Sequence, residues 1–313
     1  MNQESIWTST GVKILHHPSV LRKIIDHRIA LPISLQISPT SKCNLRCSFC
    51  SNINREKDEQ LPFETIKRLM LNLCLLSLKT VEWTGGGDPT LYPFINEVIN
   101  LADRLHLKQG LITNGIKLKE NITHESLNAL HWIRISLNCL DYVEDIELPK
   151  IKGVLGFSYV MNEETSPAII KKLVQYAKDY NPSYVRIVPN CLSSNEEQIR
   201  NNKILSEMIK DWGSPFFYQA KVFEQPKNCW WGYLKPFVNH DGSVFRCSSI
   251  VLNPDADRTF HEKYKWCNVE ELHSMYTKEM VPFDPRDCPR CVFSNQNNLI
   301  ESLMTPNGQE AFI

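Results

Sequence analysis

Short apolar runs alternate with longer amphipathic stretches from residue 33 to about residue 190. The short runs predict β-strands at 33–37, 80–83, 109–113, 132–137, 153–160 and 184–188. Between them, apolar residues at helical spacing predict helices near 63–77, 92–105, 123–129, 141–149 and 166–180. Six strand-helix units in series predict an α/β fold with a parallel sheet and right-handed crossovers. The periodicity does not indicate whether that sheet closes.

The sequence on either side of this alternating region has a different pattern. Residues 11–28 predict a short helix that leads into the first strand, and residues 194–213 predict another helix. Beyond it, "YLKPFVNHDGSVFRCSSI" has an Asp-Gly turn between alternating apolar residues, which is typical of a β-hairpin. The predicted units are therefore a helical lead-in at 1–32, a main α/β unit at 33–215 and a smaller unit at 216–313.

Composition and charge narrow the functional classes. The chain has 35 basic and 35 acidic residues, so no net positive charge favours a nucleic-acid polymer or an anionic membrane as partner. The sequence has neither a signal peptide nor the run of about eighteen apolar residues that a membrane span needs, which predicts a cytoplasmic protein. In that reducing compartment, eleven cysteines indicate metal ligation or catalysis rather than disulfides.

Three cysteines lie close together in "SPTSKCNLRCSFCS", directly after the first predicted strand. Cys43, Cys47 and Cys50 have the spacing Cys-x3-Cys-x2-Cys. Thiolates select iron-sulfur clusters, zinc or cuprous copper. A loop of this length can wrap one face of a cubane and leave the fourth iron open to a substrate or cofactor. Structural zinc sites instead combine cysteine pairs with two-residue spacing, so the pattern favours a [4Fe-4S] cluster over zinc completed by a remote Cys or His.

The segment "CNLRCSFC", with the aromatic Phe49 just before its third cysteine, resembles the cluster-binding motif of the radical S-adenosylmethionine (radical SAM) superfamily. The resemblance covers residues 33–190 and implies a partial (β/α)6 TIM-like barrel. It also implies that S-adenosylmethionine (SAM) chelates the open iron of a [4Fe-4S] cluster. Reductive cleavage of SAM would then give a 5′-deoxyadenosyl radical that abstracts hydrogen, with the electron coming from a donor such as flavodoxin or ferredoxin.

The glycine-rich segment "EWTGGGDPT" ends the second predicted strand. Gly85, Gly86 and Gly87 allow a sharp turn and a close approach of the backbone to a ligand, although a plain glycine-rich turn is the alternative. The segment resembles the Gly-Gly-Glu-Pro element of the superfamily, whose main chain meets the ammonium group of SAM. Asp88 stands where the family usually has a glutamate, and it keeps the same charge on a shorter side chain.

Polar residues also end later strands, and the active sites of such barrels lie at the carboxyl ends of the strands. Asn114 ends the third strand, either as a cofactor contact at the barrel mouth or merely in a turn. Ser136 and Asn138 end the fourth and are candidate cofactor contacts, and the resemblance implies that Ser136 contacts the ribose or carboxylate of SAM. Arg186, in the sixth strand, indicates a contact with a carboxylate or polar substrate or else an ion pair to a helix. Arg134 shares the face of Ser136.

A second group of cysteines follows the barrel region. Cys229 and Cys247 flank the predicted hairpin as Cys-x12-Gly-x4-Cys, and Cys288 and Cys291 form a later Cys-x2-Cys pair. This spacing resembles the SPASM/twitch extension of radical SAM enzymes, and it implies a twitch domain of a β-hairpin and a helix with one auxiliary [4Fe-4S] cluster on these four residues. A structural zinc ribbon is the alternative. Cys267 is a rival ligand.

Together these motifs predict a radical SAM enzyme, an oxidoreductase or isomerase, that acts on a small-molecule or nucleotide-like substrate. A fully ligated auxiliary cluster suits electron transfer, so oxidation is the first expectation and a redox-neutral isomerisation or epimerisation the second. A maturase of ribosomally made peptides is an alternative, although about thirty residues before the barrel are too few for a leader-recognition domain. A zinc-stabilised binding protein is a third hypothesis. The sequence assigns no general base.

Overall fold

The computed structural model describes residues 6–220, 224–251, 258–286, 288, 291–306 and 308–309. Within them, ten strands form one mixed sheet. The strands are β1 (Ser34–Ile37), β2 (Thr80–Trp83), β3 (Lys108–Thr113), β4 (Trp132–Ser136), β5 (Val154–Met161), β6 (Tyr184–Pro189), β7 (Phe216–Tyr218), β8 (Phe237–Val238), β9 (Ser243–Phe245) and β10 (Lys265–Asn268). The α-helices are α1 (Pro18–His27), α2 (Phe63–Cys74), α3 (Ile95–Arg104), α4 (Leu118–Asn121), α5 (His124–Ala129), α6 (Pro167–Tyr180), α7 (Asn195–Lys210), α8 (Ser248–Val251), α9 (Arg258–Tyr264), α10 (Leu272–Met275) and α11 (Ser294–Met304).

The strands lie in the order β10-β9-β8-β1-β2-β3-β4-β5-β6-β7. Each neighbouring pair from β1 to β7 is parallel, and β8 is also parallel to β1. An α-helix follows each of β1, β2, β3, β5 and β6, as is usual for crossovers between parallel strands, whereas a 3₁₀ helix and a loop connect β4 to β5. This architecture confirms the predicted parallel α/β sheet. Among the described strands, no pairing joins β7 to β10, so the sheet remains open.

The two faces of the sheet differ in chemistry because side chains alternate along a strand. Phe157 of β5 is fully buried against α6, with its ring centroid 6.5 Å from that of Tyr176 and 6.3 Å from that of Tyr180. The neighbouring residues on β5, Gly156 and Ser158, must point to the opposite side. We call this opposite side the inner face, and polar side chains from several strands lie on it.

Aromatic rings cover the amino-terminal end of the inner face. A Cβ on Gly110 would lie 2.0 Å from the ring of Trp132, and a Cβ on Gly156 would lie 2.1 Å from the ring of Tyr184. The glycines therefore make room for a ring from a neighbouring strand. Trp7 stacks on Tyr184 with 5.1 Å between ring centroids. Since Trp132 and Tyr184 begin their strands, these rings leave the carboxyl ends as the polar part of the inner face.

Two of the helix predictions differ from the structure. The segment 141–149 was predicted to be helical, which is wrong: a 3₁₀ helix spans Leu137–Asp141 and an irregular loop follows. Ile146 and Leu148, two residues apart, are both buried there, and a helix does not place such a pair on one face. The helix predicted at 11–28 is interrupted at His17. A 3₁₀ helix spans Gly11–His16, and Pro18 then opens α1, where a missing N–H group costs no intrahelical bond.

The C-terminal region continues the same sheet. The predicted hairpin is confirmed, because β8 and β9 are antiparallel and Gly242 has a φ of 84° in the turn between them. β8 pairs with β1, so the hairpin turn lies at the carboxyl edge of the parallel strands. A boundary at residues 215 and 216 stays a prediction. In the part of the chain that the structure describes, no helix has both the length and the apolar character needed to cross a bilayer.

Candidate active site

The first cysteine cluster lies in the loop that follows β1, at the carboxyl end of the parallel strands. Cys43, Cys47 and Cys50 are all half-buried. Burial and then the nearby thiols of Cys50 and Cys43 raise the pKa of Cys47 to about 12. The three sulfurs are therefore close enough to influence one another electrostatically, as ligands of one cluster must be. Phe49, between the second and third cysteines, has a buried side chain.

The sulfurs do not converge on one point. Among the described residues, no three His, Cys, Asp or Glu side chains are grouped tightly enough to hold a single metal ion. A cubane carries its irons at separate corners, so its cysteine ligands need not meet at one atom. The arrangement of this loop is compatible with the larger cluster that its spacing predicts.

Each sulfur of this loop faces a hydrogen-bond donor from another part of the chain. Nδ2 of Asn114 lies 4.0 Å from the first sulfur, and Nη1 of Arg55 lies 3.8 Å from the third. The hydroxyl group of Tyr142 donates to the second. Such donors orient ligand sulfurs and tune a cluster. Sequence reasoning predicted Asn114 as a cofactor contact and missed Arg55 and Tyr142, of which only Arg55 is near the motif in sequence.

The glycine turn after β2, Gly85–Gly87, packs tightly against the chain. A Cβ on its first glycine, where φ is +138°, would lie 2.2 Å from Oγ of Ser38. On the second glycine it would lie 2.4 Å from Nδ2 of Asn52, and on the third 2.0 Å from the carbonyl oxygen of Lys42. Side chains at these positions would separate the turn from the cysteine loop. The glycines are thus needed for a close approach between two parts of the predicted cofactor site.

Asp88 connects the loop after β2 to the end of β3 through hydrogen bonds. Its carboxylate is buried and accepts hydrogen bonds from the backbone and hydroxyl of Thr90, from the hydroxyl of Thr113 and from the backbone of Asn114 at 2.6–2.9 Å. Its own backbone N–H donates to the carbonyl of Lys42 at 2.7 Å. The carboxylate is occupied by protein donors. The predicted role of Asp88 in cofactor binding can therefore rest only on its main chain.

Ser136 and Asn138, at the end of β4, differ in whether their side chains are free to bind a ligand. The amide of Asn138 exchanges hydrogen bonds with the backbone of Val160, at 2.9 Å as donor and 2.8 Å as acceptor, and it also donates to Asp141. Ser136 is half-buried, and its hydroxyl has no hydrogen-bond partner among the described residues. Ser136 can therefore bind a cofactor, whereas the side chain of Asn138 holds β5 in place. Both roles in SAM binding stay predictions.

An unpaired donor lies beside the glycine turn. Nδ2 of Asn52 is buried and has no hydrogen-bond partner in the part of the chain that the structure describes, and a Cβ on Gly86 would lie 2.4 Å from this atom. Buried amide donors normally have partners. A polar group of a bound cofactor would satisfy this donor, so the residues present here fit a ligand such as SAM. Sequence reasoning missed Asn52, although it follows the third cysteine by two residues.

A histidine from the C-terminal hairpin also reaches this turn. His240 is buried, with Nδ1 3.4 Å from Oγ of Ser38 and Nε2 3.2 Å from Oε2 of Glu59. Burial lowers its pKa, and the carboxylate of Asp241 opposes that shift. The hairpin turn thus contributes to the mouth of the site. The Asp-Gly turn signal marks the position of His240 in sequence, but only the pairing of β8 with β1 places it here.

Arg186, the third of the six residues of β6, lies on the inner face. Its Nη1 donates to Oε1 of Gln219 at 3.0 Å. Among the described residues, no carboxylate forms an ion pair with Arg186. The ion pair to a helix, which the sequence left open as an alternative, is therefore not observed in that part of the chain. Burial and then the positive charge of Arg134 lower the pKa of Arg186 to about 9. Arg186 is therefore still protonated at neutral pH.

The second group of cysteines surrounds one pocket in the C-terminal region. Burial and then Cys247, Cys291 and Cys288 raise the pKa of Cys229, so the four thiols are electrostatic neighbours. Aromatic side chains form much of the wall, and the lining includes Cys229, Cys247, Cys288, Cys291, Trp231, Phe260, Phe283 and Phe293. Donors to sulfur are the backbone N–H of Ser249 at 3.3 Å and Nδ2 of Asn297 at 3.9 Å.

Cys267, the rival ligand, lies elsewhere. It belongs to β10, where it pairs with Val244, and its side chain is buried in the main hydrophobic core. It is not among the residues that line the four-cysteine pocket. Desolvation by burial raises its pKa to about 12, as expected for a thiol in apolar surroundings. The geometry therefore favours the predicted set of four over any set that includes Cys267.

Known proteins resemble this chain in sequence and in fold. A GTP 3′,8-cyclase of Synechocystis sp. is 30% identical over 164 residues, which cover 46% of this chain and 50% of that protein. The chain thus spans about half the length of this curated relative. A PqqA peptide cyclase of Gluconobacter oxydans is 24% identical over 309 residues, with 83% of each protein covered.

A solved structure shares the fold. The crystal structure of Streptococcus suis SuiB bound to precursor peptide SuiA superposes with a TM-score of 0.54 at 15% identity, covering 86% of this chain and 73% of that one. A family model described as "Radical SAM superfamily" matches residues 37–201, which is more than half of the chain. The match includes the cysteine loop, the glycine turn and the ends of β3, β4 and β6. The chain therefore belongs to the radical SAM superfamily.

Proposed function

We propose that this chain reductively cleaves SAM and abstracts hydrogen from a small-molecule or nucleotide-like substrate, with oxidation as the net reaction. The observation that carries the proposal is the packing of the cysteine loop against the glycine turn, where the backbone N–H of Asp88 donates to the carbonyl of Lys42 at 2.7 Å. This packing brings together the two sequence motifs that would hold cluster and cofactor. The similarity to a GTP 3′,8-cyclase supports a nucleotide-like substrate.

The residues have separate roles in this proposal. Cys43, Cys47 and Cys50 would hold the [4Fe-4S] cluster, and Ser136, Asn52 and the main chain of the glycine turn would bind SAM. When bound, the cluster and SAM supply a 5′-deoxyadenosyl radical that removes a hydrogen atom from the substrate. The donors that face the three sulfurs orient them, because their own positions are fixed by hydrogen bonds within the fold, as with Asn114 and Oδ1 of Asn44 at 2.7 Å.

The four-cysteine pocket supports a second metal centre. Cys229, Cys247, Cys288 and Cys291 would hold an auxiliary [4Fe-4S] cluster, which their shared apolar pocket suits better than an open site. With four thiolate ligands such a cluster has no free iron for substrate. Its use would be to accept or donate an electron. Acceptance corresponds to the oxidation proposed here, and donation corresponds to a redox-neutral isomerisation or epimerisation.

Modification of a peptide is the second candidate function. The match with the PqqA peptide cyclase spans 83% of both proteins, whereas the match with the GTP 3′,8-cyclase spans half of that protein. The match with the peptide cyclase thus covers more of this chain, 83% against 46%, which favours a peptide-modifying relative. Under either candidate we propose that the protein acts in the cytoplasm, with flavodoxin or ferredoxin as electron donor, because free thiols and reducible clusters need a reducing compartment.

Metal content and SAM cleavage test the proposal. The protein is purified and reconstituted without oxygen, then incubated with SAM and dithionite. We expect about eight irons and about eight sulfides per chain, and formation of 5′-deoxyadenosine measured by liquid chromatography and mass spectrometry. Replacement of Cys43, Cys47 and Cys50 together by alanine should abolish that product, because the cluster would lose its protein ligands.

The matched control is Cys74→Ala, which removes a half-buried thiol of α2 outside both cysteine sites. This variant should form 5′-deoxyadenosine at the rate of the unmodified protein. Continued formation of 5′-deoxyadenosine by the triple variant would refute the proposal. So would zinc without acid-labile sulfide in the unmodified protein.

A further inference from the structure

Two arginines supply unbalanced positive charge on the inner face of the sheet. Half-buried charged side chains reach this face from Glu82 on β2, Arg134 on β4 and Arg186 on β6. Glu82 is already paired, with Oε1 2.7 Å from Nζ of Lys235. Within the described part of the chain, neither arginine has a carboxylate partner. Two guanidinium charges therefore remain without an anion from the described residues.

The register of the strands places these arginines next to the proposed cofactor site. Arg186 pairs with Ser158, and Ser158 pairs with Ser136, so the three residues form one row across β6, β5 and β4. Neighbouring strands are about 4.8 Å apart, so Arg186 begins roughly 10 Å from Ser136. Arg134 lies two residues before Ser136 on the same face. Both side chains are long enough to meet a ligand between them.

The guanidinium groups also have donors to spare. Nε of Arg134 and Nε of Arg186 are both buried, and neither has a hydrogen-bond partner in the described segments. Buried donors of a charged group normally find an acceptor. Cζ of Arg134 lies 5.8 Å from the ring centroid of Trp132. This cation–π contact helps to hold the guanidinium group in place, but it supplies no hydrogen-bond acceptor for Nε. The charge of Arg134 is also among the causes that lower the pKa of Arg186, and an anion between the two would remove that repulsion.

We propose that Arg134 and Arg186 bind a phosphate group of the substrate on the inner face. This inference deepens the proposed function and rests on it, since it names the substrate class of the same site. A phosphate carries close to two negative charges at neutral pH and matches two guanidinium groups, whereas a carboxylate would leave one of them unbalanced. The planar fork of each arginine can also give two hydrogen bonds to phosphate oxygens.

Binding of inorganic phosphate to the reconstituted protein tests this inference. Isothermal titration calorimetry measures the dissociation constants of phosphate, malonate and SAM for the unmodified protein and for Arg134→Gln and Arg186→Gln. We expect each substitution to weaken phosphate binding by about tenfold or more, and the double variant to lose it. Arg22→Gln is the matched control, because Arg22 is exposed on α1 and loses the same charge, and its phosphate affinity should not change.

Three outcomes would overturn the inference. They are a phosphate affinity that neither substitution alters, a malonate affinity equal to that of phosphate, and a loss confined to SAM binding, which would assign the arginines to the cofactor. A variant that fails to unfold cooperatively is replaced by Arg→Lys at the same position, which keeps the charge but not the fork and should weaken phosphate binding less. Formation of 5′-deoxyadenosine by the unmodified protein is measured in parallel, because its absence would refute the proposed function alone.

Discussion

The two cysteine sites of this protein differ in what surrounds their sulfurs. Around the first site, polar side chains face the sulfurs, and no described residue forms a hydrogen bond with the buried amide nitrogen of Asn52 beside it. Around the second, Trp231, Phe260, Phe283 and Phe293 form much of the wall. A polar wall can receive a charged cofactor, whereas an apolar wall keeps water from a centre that only exchanges electrons. The proposed ligand sets would fit this difference, since three cysteines would leave one iron of a cubane open and four would not.

The sites also differ in how the chain builds them. The first uses loops after β1, β2 and β3, which the carboxylate of Asp88 and the turn Gly85–Gly87 hold together. The second gathers residues from α8, α9, α11 and the segments near them, and Cys229 is joined to Phe283 by an antiparallel bridge. Parallel strands bring their carboxyl ends to one edge without further support. The C-terminal site needs long-range contacts to form.

The largest expected difference comes from removing one ligand at each site. Cys47→Ala should abolish formation of 5′-deoxyadenosine, because the cluster at the first site would lose one of its three cysteine ligands. Cys229→Ala should lower the iron content from about eight to about four per chain. In that variant the electron paramagnetic resonance spectrum of the remaining reduced cluster should still change when SAM is added. If Cys229→Ala instead removed the SAM-dependent change, the division of roles between the sites would be wrong.

A smaller difference should follow from the close contact between the glycine turn and the cysteine loop. In Gly87→Ala the new Cβ would lie 2.0 Å from the backbone oxygen of Lys42, so the two loops must separate. We expect the free energy of unfolding to fall by about 2–3 kcal/mol, measured with denaturant on the metal-free protein.

The control for that measurement is Gly213→Ala. No atom lies within 4 Å of a Cβ at this position, so the substitution causes no steric clash. Its cost comes only from placing an alanine at the left-handed φ of +65°. It should therefore cost about 1 kcal/mol. Equal losses for the two variants would mean that the glycine turn and the cysteine loop are not tightly packed, and that this contact does not hold the first site together.

The sequence predicts the parts of the first site that are local in the chain. Each of these parts directly follows a strand that the sequence pattern predicts. They are the cysteine motif, the glycine turn and the residues at the ends of β3 and β4. Tyr142 and His240 reach the same site from distant segments, and neither has a local signal for that position. Only the packing of the loop after β4 and the pairing of β8 with β1 place them there.

The wrong helix at 141–149 has a related cause. Apolar residues in this segment fit a helical period, but Ile146 and Leu148 are both drawn into the core. The backbone N–H of Ile146 donates to the hydroxyl of Tyr176 at 2.8 Å, and the carboxylate of Asp145 accepts from the same hydroxyl. The hydroxyl of Tyr176 also donates to the carbonyl of Ile146 at 3.2 Å, so a tyrosine from α6 satisfies backbone groups that a helix would otherwise pair. Tertiary contacts of this kind override local propensity and leave no trace in periodicity.

The smallest effect on stability is expected at Asn52, whose buried amide beside the first cysteine site lacks, among the described residues, the partner that buried donors normally have in a protein core. Asn52→Leu removes a buried donor that has no partner, so the metal-free protein should lose no stability or gain up to about 1 kcal/mol. SAM affinity, measured by calorimetry, should fall by about tenfold. Asn138→Leu is the matched control, because its amide is bonded to Val160 in both directions, and it should lose about 1–3 kcal/mol of stability. A stability loss at Asn52 as large as that at Asn138, with SAM affinity unchanged, would mean that the unpaired amide does not serve the cofactor.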